Sequence, residues 1–184
     1  ITLDVTGGGY AAAIGTNVKW YTNTKCNSIT IKNSVITACS GKGAAAIGTG
    51  VGYGGNGQTG PTIGSIVIEN STIYANLLPL NEYGANGAYG ACIGLGVRLW
   101  IGKSACGEIR ITTDNETSFM NNLQRSANNT NINGRDGYKI GYGDILWDPD
   151  RPNTTWCARS FSGVWINNTR KDTGDDRGKG YSGQ

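Results

Sequence analysis

Histidine is absent from the sequence, and none of the five cysteines lies three residues from another, so there is no Cys-x-x-Cys pair. Structural zinc is usually held by cysteine and histidine at such short spacings. Because histidine is absent and no serine or cysteine has a general-base partner, carboxylates are the only plausible acid–base groups. We therefore expect no metal site.

A helix is also missing where a nucleotide cofactor would need one. Residues 50–55 carry the letters of the GxGxxG motif, but no helical pattern comes after them. A dinucleotide site requires that loop to open a helix inside a βαβ unit. We expect no cofactor.

Long apolar runs and charge clusters of one sign are missing too. No stretch approaches the roughly 20 apolar residues of a membrane-spanning helix. The 16 basic and 13 acidic residues give a formal net charge of +3, and the densest basic stretch, Arg170 to Lys179, is interleaved with aspartates. Because nucleic-acid binding requires a basic patch or stripe, we expect neither a membrane span nor a nucleic-acid partner.

Glycine, in contrast, is abundant. It accounts for 30 of the 184 residues, about 16 %, against a usual level of about 7 %. Asparagine, serine and threonine accompany it, which suits tight turns between short strands. No segment repeats apolar residues at helical spacing over three turns. The sequence therefore predicts an all-β fold.

Two short blocks recur four times in a fixed order. The first contains an Ile-Gly pair and occurs at residues 9–16, 43–50, 89–96 and, more weakly, 137–143. The second is Ile-Thr-Ile or similar, followed by polar residues, and begins at Ile29, Ile66, Ile109 and Val164. Only the connections vary in length, as in stacked repeats whose insertions fall in loops.

The second block alternates with a period of two, which is typical of a strand with one buried face. If the copies stack in register, their first residues form one inward column and their third residues another: Ile31, Ile68, Ile111 and Ile166. The next inward column is Asn33, Asn70, Thr113 and Asn168, expected to be a buried ladder of hydrogen-bonded side chains. On the outer face, this register brings Lys32 beside Glu69.

Four features together resemble the glycine-rich β-helical repeats of large bacterial surface proteins, many of them from gut bacteria. They are the Ala-Ala-Ile-Gly block, a glycine-rich turn, a cysteine three residues before a strand (Cys26 and Cys106) and the Ile-Thr-Ile strand. The likeness covers residues 1–124 well and 125–184 poorly. It implies a right-handed parallel β-helix or β-solenoid with long loops, and adhesion or carbohydrate contact, but transfers no catalytic residue. The long loops keep a β-trefoil or β-prism open as an alternative.

We expect a single β-repeat domain over residues 1–168, with copies at about 1–40, 41–85, 86–133 and 134–168. Residues 169–184 are polar and nearly free of apolar side chains, so they are predicted to be a flexible tail or an assembly arm. No polar cap is apparent at either end, although a soluble repeat stack needs caps. Uncapped ends favour a piece of a longer protein, or subunits that stack end to end by strand addition.

Several features are typical of secreted proteins. The chain starts at Ile1 without a charged leader, which suggests a removed leader or trimming from a larger protein. Sequons give four glycosylation candidates, Asn115, Asn128, Asn153 and Asn167, whereas Asn70 belongs to the predicted buried ladder and should carry no glycan. The cysteines are either buried thiols or disulfide partners whose pairing stays open: Cys26, Cys39, Cys92, Cys106 and Cys157.

Carboxylates near the C-terminus are the candidates for catalysis. Asp144, Asp148 and Asp150 lie within seven residues of one another, and Asp114 with Glu116 is a second cluster. Polysaccharide-cleaving enzymes use such pairs of carboxylates as acid, base or nucleophile. Turn capping in a proline-containing loop is the alternative, and it is the one we favour.

Tryptophans also concentrate near the C-terminus. Trp147, Trp156 and Trp165 are candidates for stacking on sugar rings, because an indole offers an apolar platform with a polar edge. Packing in the core is the alternative. By the predicted register, Trp165 points outward from its strand.

The sequence thus favours a non-catalytic structural or adhesive module located outside the cell or at its surface. Its expected partners are further copies of itself, as in a fibre, or a larger parent surface protein. The alternative is a carbohydrate-binding or polysaccharide-cleaving β-helix that uses the carboxylates and tryptophans near the C-terminus, with glycans as its partners.

Overall fold

The computed structural model describes residues 1–17, 24–54, 59–82, 87–100, 103–124, 138–144, 160–172 and 180–183. Within these residues the secondary structure is almost entirely β, with one short helix. The β-branched residues of the repeat suit a pleated, half-buried surface, and the glycines suit the turns. The predicted all-β class is confirmed.

The described strands range from two to eleven residues in length. In chain order they are β1 (Thr2–Thr6), β2 (Ile14–Gly15), β3 (Lys25–Cys26), β4 (Ile29–Lys32), β5 (Val35–Lys42), β6 (Ile47–Gly48), β7 (Gly52–Gly54), β8 (Thr59–Glu69), β9 (Thr72–Leu78), β10 (Ile93–Gly94), β11 (Arg98–Trp100), β12 (Lys103–Thr112), β13 (Leu123–Gln124), β14 (Ile140–Gly141), β15 (Ser160–Ile166), β16 (Thr169–Arg170) and β17 (Gly180–Tyr181). The helix α1 (Glu116–Asn121) lies between β12 and β13.

The strands form three main sheets. Sheet 1 has the order β1-β5-β9-β13, sheet 2 the order β17-β14-β10-β6-β2, and sheet 3 the order β16-β15-β12-β8-β3, with β4 also paired to β8. A two-stranded sheet joins β7 and β11. Each main sheet takes strands from successive parts of the chain, so the described strands stack as four layers, which we name first to fourth and whose strands fall within residues 1–33, 34–70, 71–113 and 114–168.

Neighbouring layers are joined by parallel ladders in all three sheets. Among the named strands, the antiparallel pairs are β17 with β14 and β16 with β15. Antiparallel hairpins, on which a β-trefoil or a β-prism depends, connect none of the described layers. The parallel pairing therefore speaks against that alternative.

The predicted register of sheet 3 is confirmed. Ile29 pairs with Ile66, Ile66 with Ile109, and Ile109 with Val164, while the second column runs through Ile31, Ile68, Ile111 and Ile166. All eight side chains are buried and belong to one core, which also receives side chains from sheets 1 and 2. Burial of each such side chain contributes about 1.5–3 kcal/mol. On the outer face, Lys32 and Glu69 form an ion pair of 2.8 Å.

The predicted asparagine ladder is wrong. Asn33, Asn70 and Asn168 are exposed and have positive φ angles of 48°, 46° and 63°. Asparagine tolerates this left-handed conformation, which the chain adopts where it leaves sheet 3. The layers are joined here by backbone hydrogen bonds: the N–H of Asn33 donates to the carbonyl of Glu69 at 3.0 Å.

The Ile-Gly pairs of sheet 2 stack because the glycine leaves room for the next layer. Its φ is positive in every layer, at 138°, 144°, 131° and 117° for Gly15, Gly48, Gly94 and Gly141. A Cβ on Gly48 would fall on the carbonyl oxygen of Gly94, well inside van der Waals contact. Only glycine combines this conformation with so close an approach, which explains why the pair recurs.

Candidate functional site

The first layer is open on one side. In the part of the chain that the structure describes, β1, β2 and β4 have strand neighbours only toward the second layer. Ile14 is half-buried and Gly15 is exposed, whereas the equivalent Ile47 and Gly48 are buried. Ile1 is 90 % and Leu3 42 % exposed. This surface therefore offers edge-strand backbone and apolar side chains to a partner.

A shallow depression marks the same end of the stack. It has a volume of about 350 Å³ and is lined by first-layer residues, among them Gly15, Thr16 and Lys25. In the later layers, the residues equivalent to the exposed Gly15 are buried: Gly48, Gly94 and Gly141. The depression is thus the uncovered side of the first layer.

In sheets 2 and 3 the fourth layer, in contrast, is covered by residues 169–172 and 180–183, which we name the cap segment, whereas β13 of sheet 1 keeps an open edge among the described residues. Its strand β16 pairs antiparallel with β15, and β17 pairs antiparallel with β14. The N–H of Lys171 also donates to the carbonyl of Val164 at 2.9 Å. These residues are parts of the sheets, so β14 and β15 have strand neighbours on both sides at this end of the stack. The flexible tail or assembly arm over residues 169–184 stays a prediction.

On the outer face of sheet 3, a tryptophan lies between two arginines. The guanidinium of Arg110, on β12, is 4.8 Å from the centroid of the Trp165 ring, and that of Arg170, on β16, is 5.3 Å from it. Since β12 and β16 flank β15 on opposite sides, each ring face meets one cation, a favourable arrangement. The two arginines bind the carboxylates of Glu108 and Asp172 through two hydrogen bonds each.

A second cluster ties the cap segment to the helix α1. The carboxylate of Glu116 accepts a hydrogen bond from the Tyr181 hydroxyl at 2.6 Å and pairs with the Lys171 ammonium at 3.0 Å. Partial burial opposes ionisation of Glu116, but the hydrogen bonds from Tyr181 and Lys171 outweigh it and lower its pKa. The hydrogen bond to Glu116 raises the pKa of Tyr181 to about 12.

The candidate catalytic residues are not assembled into a site within the described residues. Asp144 is fully buried, and its Oδ2 accepts the backbone N–H of Tyr89 at 2.8 Å. A carboxylate in that position fixes a loop rather than meeting a polymer. Asp148 and Asp150 lie outside the described residues. Asp114 and Glu116 flank the start of α1, where Glu116 is engaged by the cap segment.

Of the three tryptophans predicted to stack on sugar rings, the structure describes Trp165. Trp165 points outward, as predicted, but a guanidinium lies over each of its faces, so a sugar ring would have to displace an arginine first. Trp147 and Trp156 lie outside the described residues. No observation within the described residues therefore favours the carbohydrate-binding alternative.

The sequons differ from expectation in two respects. Asn70, expected to be inaccessible, is exposed. Asn167, expected to be free, uses its side chain to bind the backbone of Thr113, donating from Nδ2 at 2.9 Å and accepting at Oδ1 at 3.0 Å. Asn115 is exposed and caps α1, its Oδ1 accepting the N–H of Ser118 at 2.9 Å. Asn128 and Asn153 lie outside the described residues.

The four described cysteines are free thiols: Cys26, Cys39, Cys92 and Cys106. Cys26 and Cys106 share a column but pair with Ile63 from opposite sides. Cys26 lies in the first layer and Cys106 in the third, so two interstrand spacings place their backbones about 9.5 Å apart, which is too far for a disulfide. Burial raises the pKa of the Cys106 thiol to about 12, which keeps it in the unreactive thiol form. Cys157 lies outside the described residues.

Two kinds of feature are absent from the described residues. They contain no group of three or more histidine, cysteine, aspartate or glutamate side chains that could hold a metal ion. Their one helix is far too short to cross a membrane.

The sequence reasoning missed the residues that close the fourth layer. Arg110 could have been found, because the predicted register already places it beside Trp165. Glu116 and Tyr181 could not, since no pattern in the sequence links a helix start to a residue 65 positions later.

Comparison with known proteins does not assign the chain to a family. The chain matches no family model, no curated protein and no solved structure.

Proposed function

We propose that the chain is a non-catalytic structural or adhesive module of an extracellular or cell-surface protein. Its four layers are turns of a right-handed β-solenoid, and the open first layer receives further strands. The contrast between the open first layer and the covered fourth layer carries this proposal, because an unprotected edge of parallel strands is a template for strand addition.

The engagement of the described carboxylates supports a structural role. Most of them are bound to cations: Glu69 to Lys32, Glu82 to Lys42 and Glu116 to Lys171 join distant parts of the chain, whereas Glu108 to Arg110 and Asp172 to Arg170 join residues two positions apart. Such groups hold layers and turns together, whereas a glycosidase needs two carboxylates facing one bond.

The chemistry of the first layer indicates what it receives. The Ile14-Gly15 pair, Ile29 and Ile31 of the first layer are of the same residue types as the second-layer residues with which they pair. A further layer of the same type would meet the surface that each described layer already meets. The partner is therefore a parallel β layer with small residues at sheet 2 and alternating apolar residues at sheet 3.

A register-matched fusion tests this proposal. Residues 34–70 are placed directly before Ile1, so that Asn70 is followed by Ile1 and Thr2, the equivalents of Ser71 and Thr72 in the native order. If the first layer accepts strands, amide hydrogen exchange in β1, β2 and β4 slows by tenfold or more, because these edges become protected inside the sheets.

The matched control carries the same 37 residues in scrambled order, which preserves length and composition. Exchange in β1, β2 and β4 should then stay at its native rate. Equal exchange rates in the fusion and the scrambled control, with both proteins folded by circular dichroism, would contradict the proposal.

A further inference from the structure

The cap segment covers a surface that fits a second copy of the chain. We propose that the cap segment is removable, and that the edge of the fourth layer, once uncovered, pairs in parallel with the open first layer of another copy. The proposal rests on the proposed function, since it requires the first layer to accept strands. It adds a specific partner and a barrier that holds the partner off.

The two surfaces match residue by residue if the existing register continues. Val164 and Ile166 of one copy would then lie beside Ile29 and Ile31 of the next, as Ile109 and Ile111 lie beside Val164 and Ile166 within the chain. In sheet 1, the open edge of β13 would receive β1. On the outer face, Lys32 would meet the neutral Asn167, so no like charges oppose each other.

Gly141 supports this continuation independently. In the first three layers, the glycine of the Ile-Gly pair has a positive φ, and a Cβ there would strike the glycine of the following layer. Gly141 keeps the same conformation, with a φ of 117°, although no fifth parallel layer exists among the described residues. In the intact chain Gly180 of β17 lies opposite Gly141, and once the cap segment is removed the same conformation would admit a parallel layer there.

The cap segment makes fewer backbone pairs than a parallel layer would. Two residue pairs join β16 to β15, and two join β17 to β14, whereas six pairs join β12 to β15 on the other side. Its ion pairs are only partly shielded from solvent: the Arg170 side chain is 51 % exposed although its partner Asp172 is buried, and Lys171 and Glu116 are each 26 % exposed. The small number of backbone pairs is therefore the main reason why a strand of another copy can compete with the cap segment.

The resulting contact is head to tail and leaves both outer ends free. Such heterologous contacts do not close on themselves and generate filaments. An intact cap segment would therefore keep the chain from polymerising, and its removal would permit growth from the fourth layer.

Truncation tests the inference directly. The full chain and a variant ending at Asn168 are compared by light scattering after size exclusion and by negative-stain electron microscopy. We expect the full chain to keep the mass of a monomer, and the truncated variant to gain several-fold in mass, with rods that lengthen as concentration rises.

A proline on the opposite edge shows whether the rods use the proposed surface. The N–H of Gly7 donates to Cys39 and the carbonyl of Ile1 accepts from Val35, so odd-numbered residues of β1 face the second layer. The N–H of Asp4 therefore faces the open side, and Asp4→Pro removes it. In the truncated background, Asp4→Pro should return the variant to a monomer; rods that survive it would overturn the inference.

A second variant covers the case in which the truncated chain does not fold. A Cβ at Gly180 would strike the Tyr138 ring and lie 2.6 Å from the carbonyl oxygen of Ile140, so Gly180→Val loosens the cap segment within the full chain. Assembly of this variant, but not of the glycine control Gly8→Val, at which a Cβ would have no atom within 4 Å, supports the inference.

The outcomes separate this inference from the proposed function. If the folded truncated chain and Gly180→Val both remain monomers while the register-matched fusion protects β1, only the removable cap is wrong. If the fusion also fails to protect β1, the proposed function is wrong as well.

Discussion

The two ends of the stack solve the problem of unpaired strand edges in opposite ways. At the first layer, Ile14 remains half-buried and Leu3 is 42 % exposed. At the fourth layer, the equivalent Ile140 is fully buried, because β17 lies across it. The cover consists mainly of polar residues and glycine that supply backbone donors and acceptors, and among its described side chains Tyr181 packs against the core.

This difference teaches that composition does not identify a cap. A segment poor in apolar residues looks disordered when judged by what it can bury on its own. When an edge strand already lies on a formed core, however, two residues with the right backbone suffice to pair with it. The two ends are therefore best compared by perturbing equivalent residues in the open layer and in the enclosed layers.

The largest effect is expected at the glycines between enclosed layers. Gly48→Ala combines an unfavourable φ with a collision against the Gly94 carbonyl, so it should lower the free energy of unfolding by about 3–5 kcal/mol. Urea denaturation followed by circular dichroism measures this loss.

Gly8 in the open first layer provides the control. A Cβ on Gly8 would have no atom within 4 Å, and its φ is not in the positive range. Gly8→Ala should change the free energy of unfolding by less than about 0.5 kcal/mol. Losses of similar size at Gly48 and Gly8 would show that enclosed and open layers do not differ in this respect.

A smaller effect is expected from shortening the equivalent isoleucines at the two ends. Ile140→Ala removes a fully buried side chain and should cost about 3 kcal/mol in urea denaturation. Ile14→Ala removes a half-buried one and should cost about half as much. Equal costs would mean that the first layer is as well covered as the fourth, against the observed contrast.

The sequence predicts the repeat and its register because stacked layers require the same residue types at the same positions. The columns through Ile29 and Ile31 could be assigned by alternation alone, and the ion pair of Lys32 with Glu69 followed from the same register. The asparagine column was misjudged, because alternation was extended one residue too far: Asn33 and Asn70 lie in the turn, where a positive φ ends the strand.

The contacts that join the cap segment to the fourth layer could not be predicted in this way. They depend on where the residues after the last repeat meet the sheets. These residues do not share the repeat pattern, so the pattern cannot predict their position. Trp165 illustrates both points. Its outward direction followed from the register, but its contact with Arg170 depends on an antiparallel strand outside the repeat.

The smallest expected effect concerns the pH dependence of the cap segment. The pKa of Glu116 is lowered in the folded chain, so the stabilisation that it provides is present above its unfolded-state pKa and is lost as the pH falls through the lower folded-state pKa. Between pH 6 and pH 3, we expect the amides of β14 and β15 to lose protection worth up to about 1 kcal/mol, measured by hydrogen exchange corrected for the intrinsic rate.

Glu116→Gln should remove part of this pH dependence, because a neutral amide has no proton to gain. Glu69→Gln, which breaks an ion pair at the open end instead, should leave the exchange of β14 and β15 unchanged at either pH. If both variants altered that exchange equally, acid would be weakening the whole stack, and the contrast between a covered and an open end would not extend to pH. If only Glu116→Gln did so, the cluster around Glu116 would be the place where acid releases the cap segment.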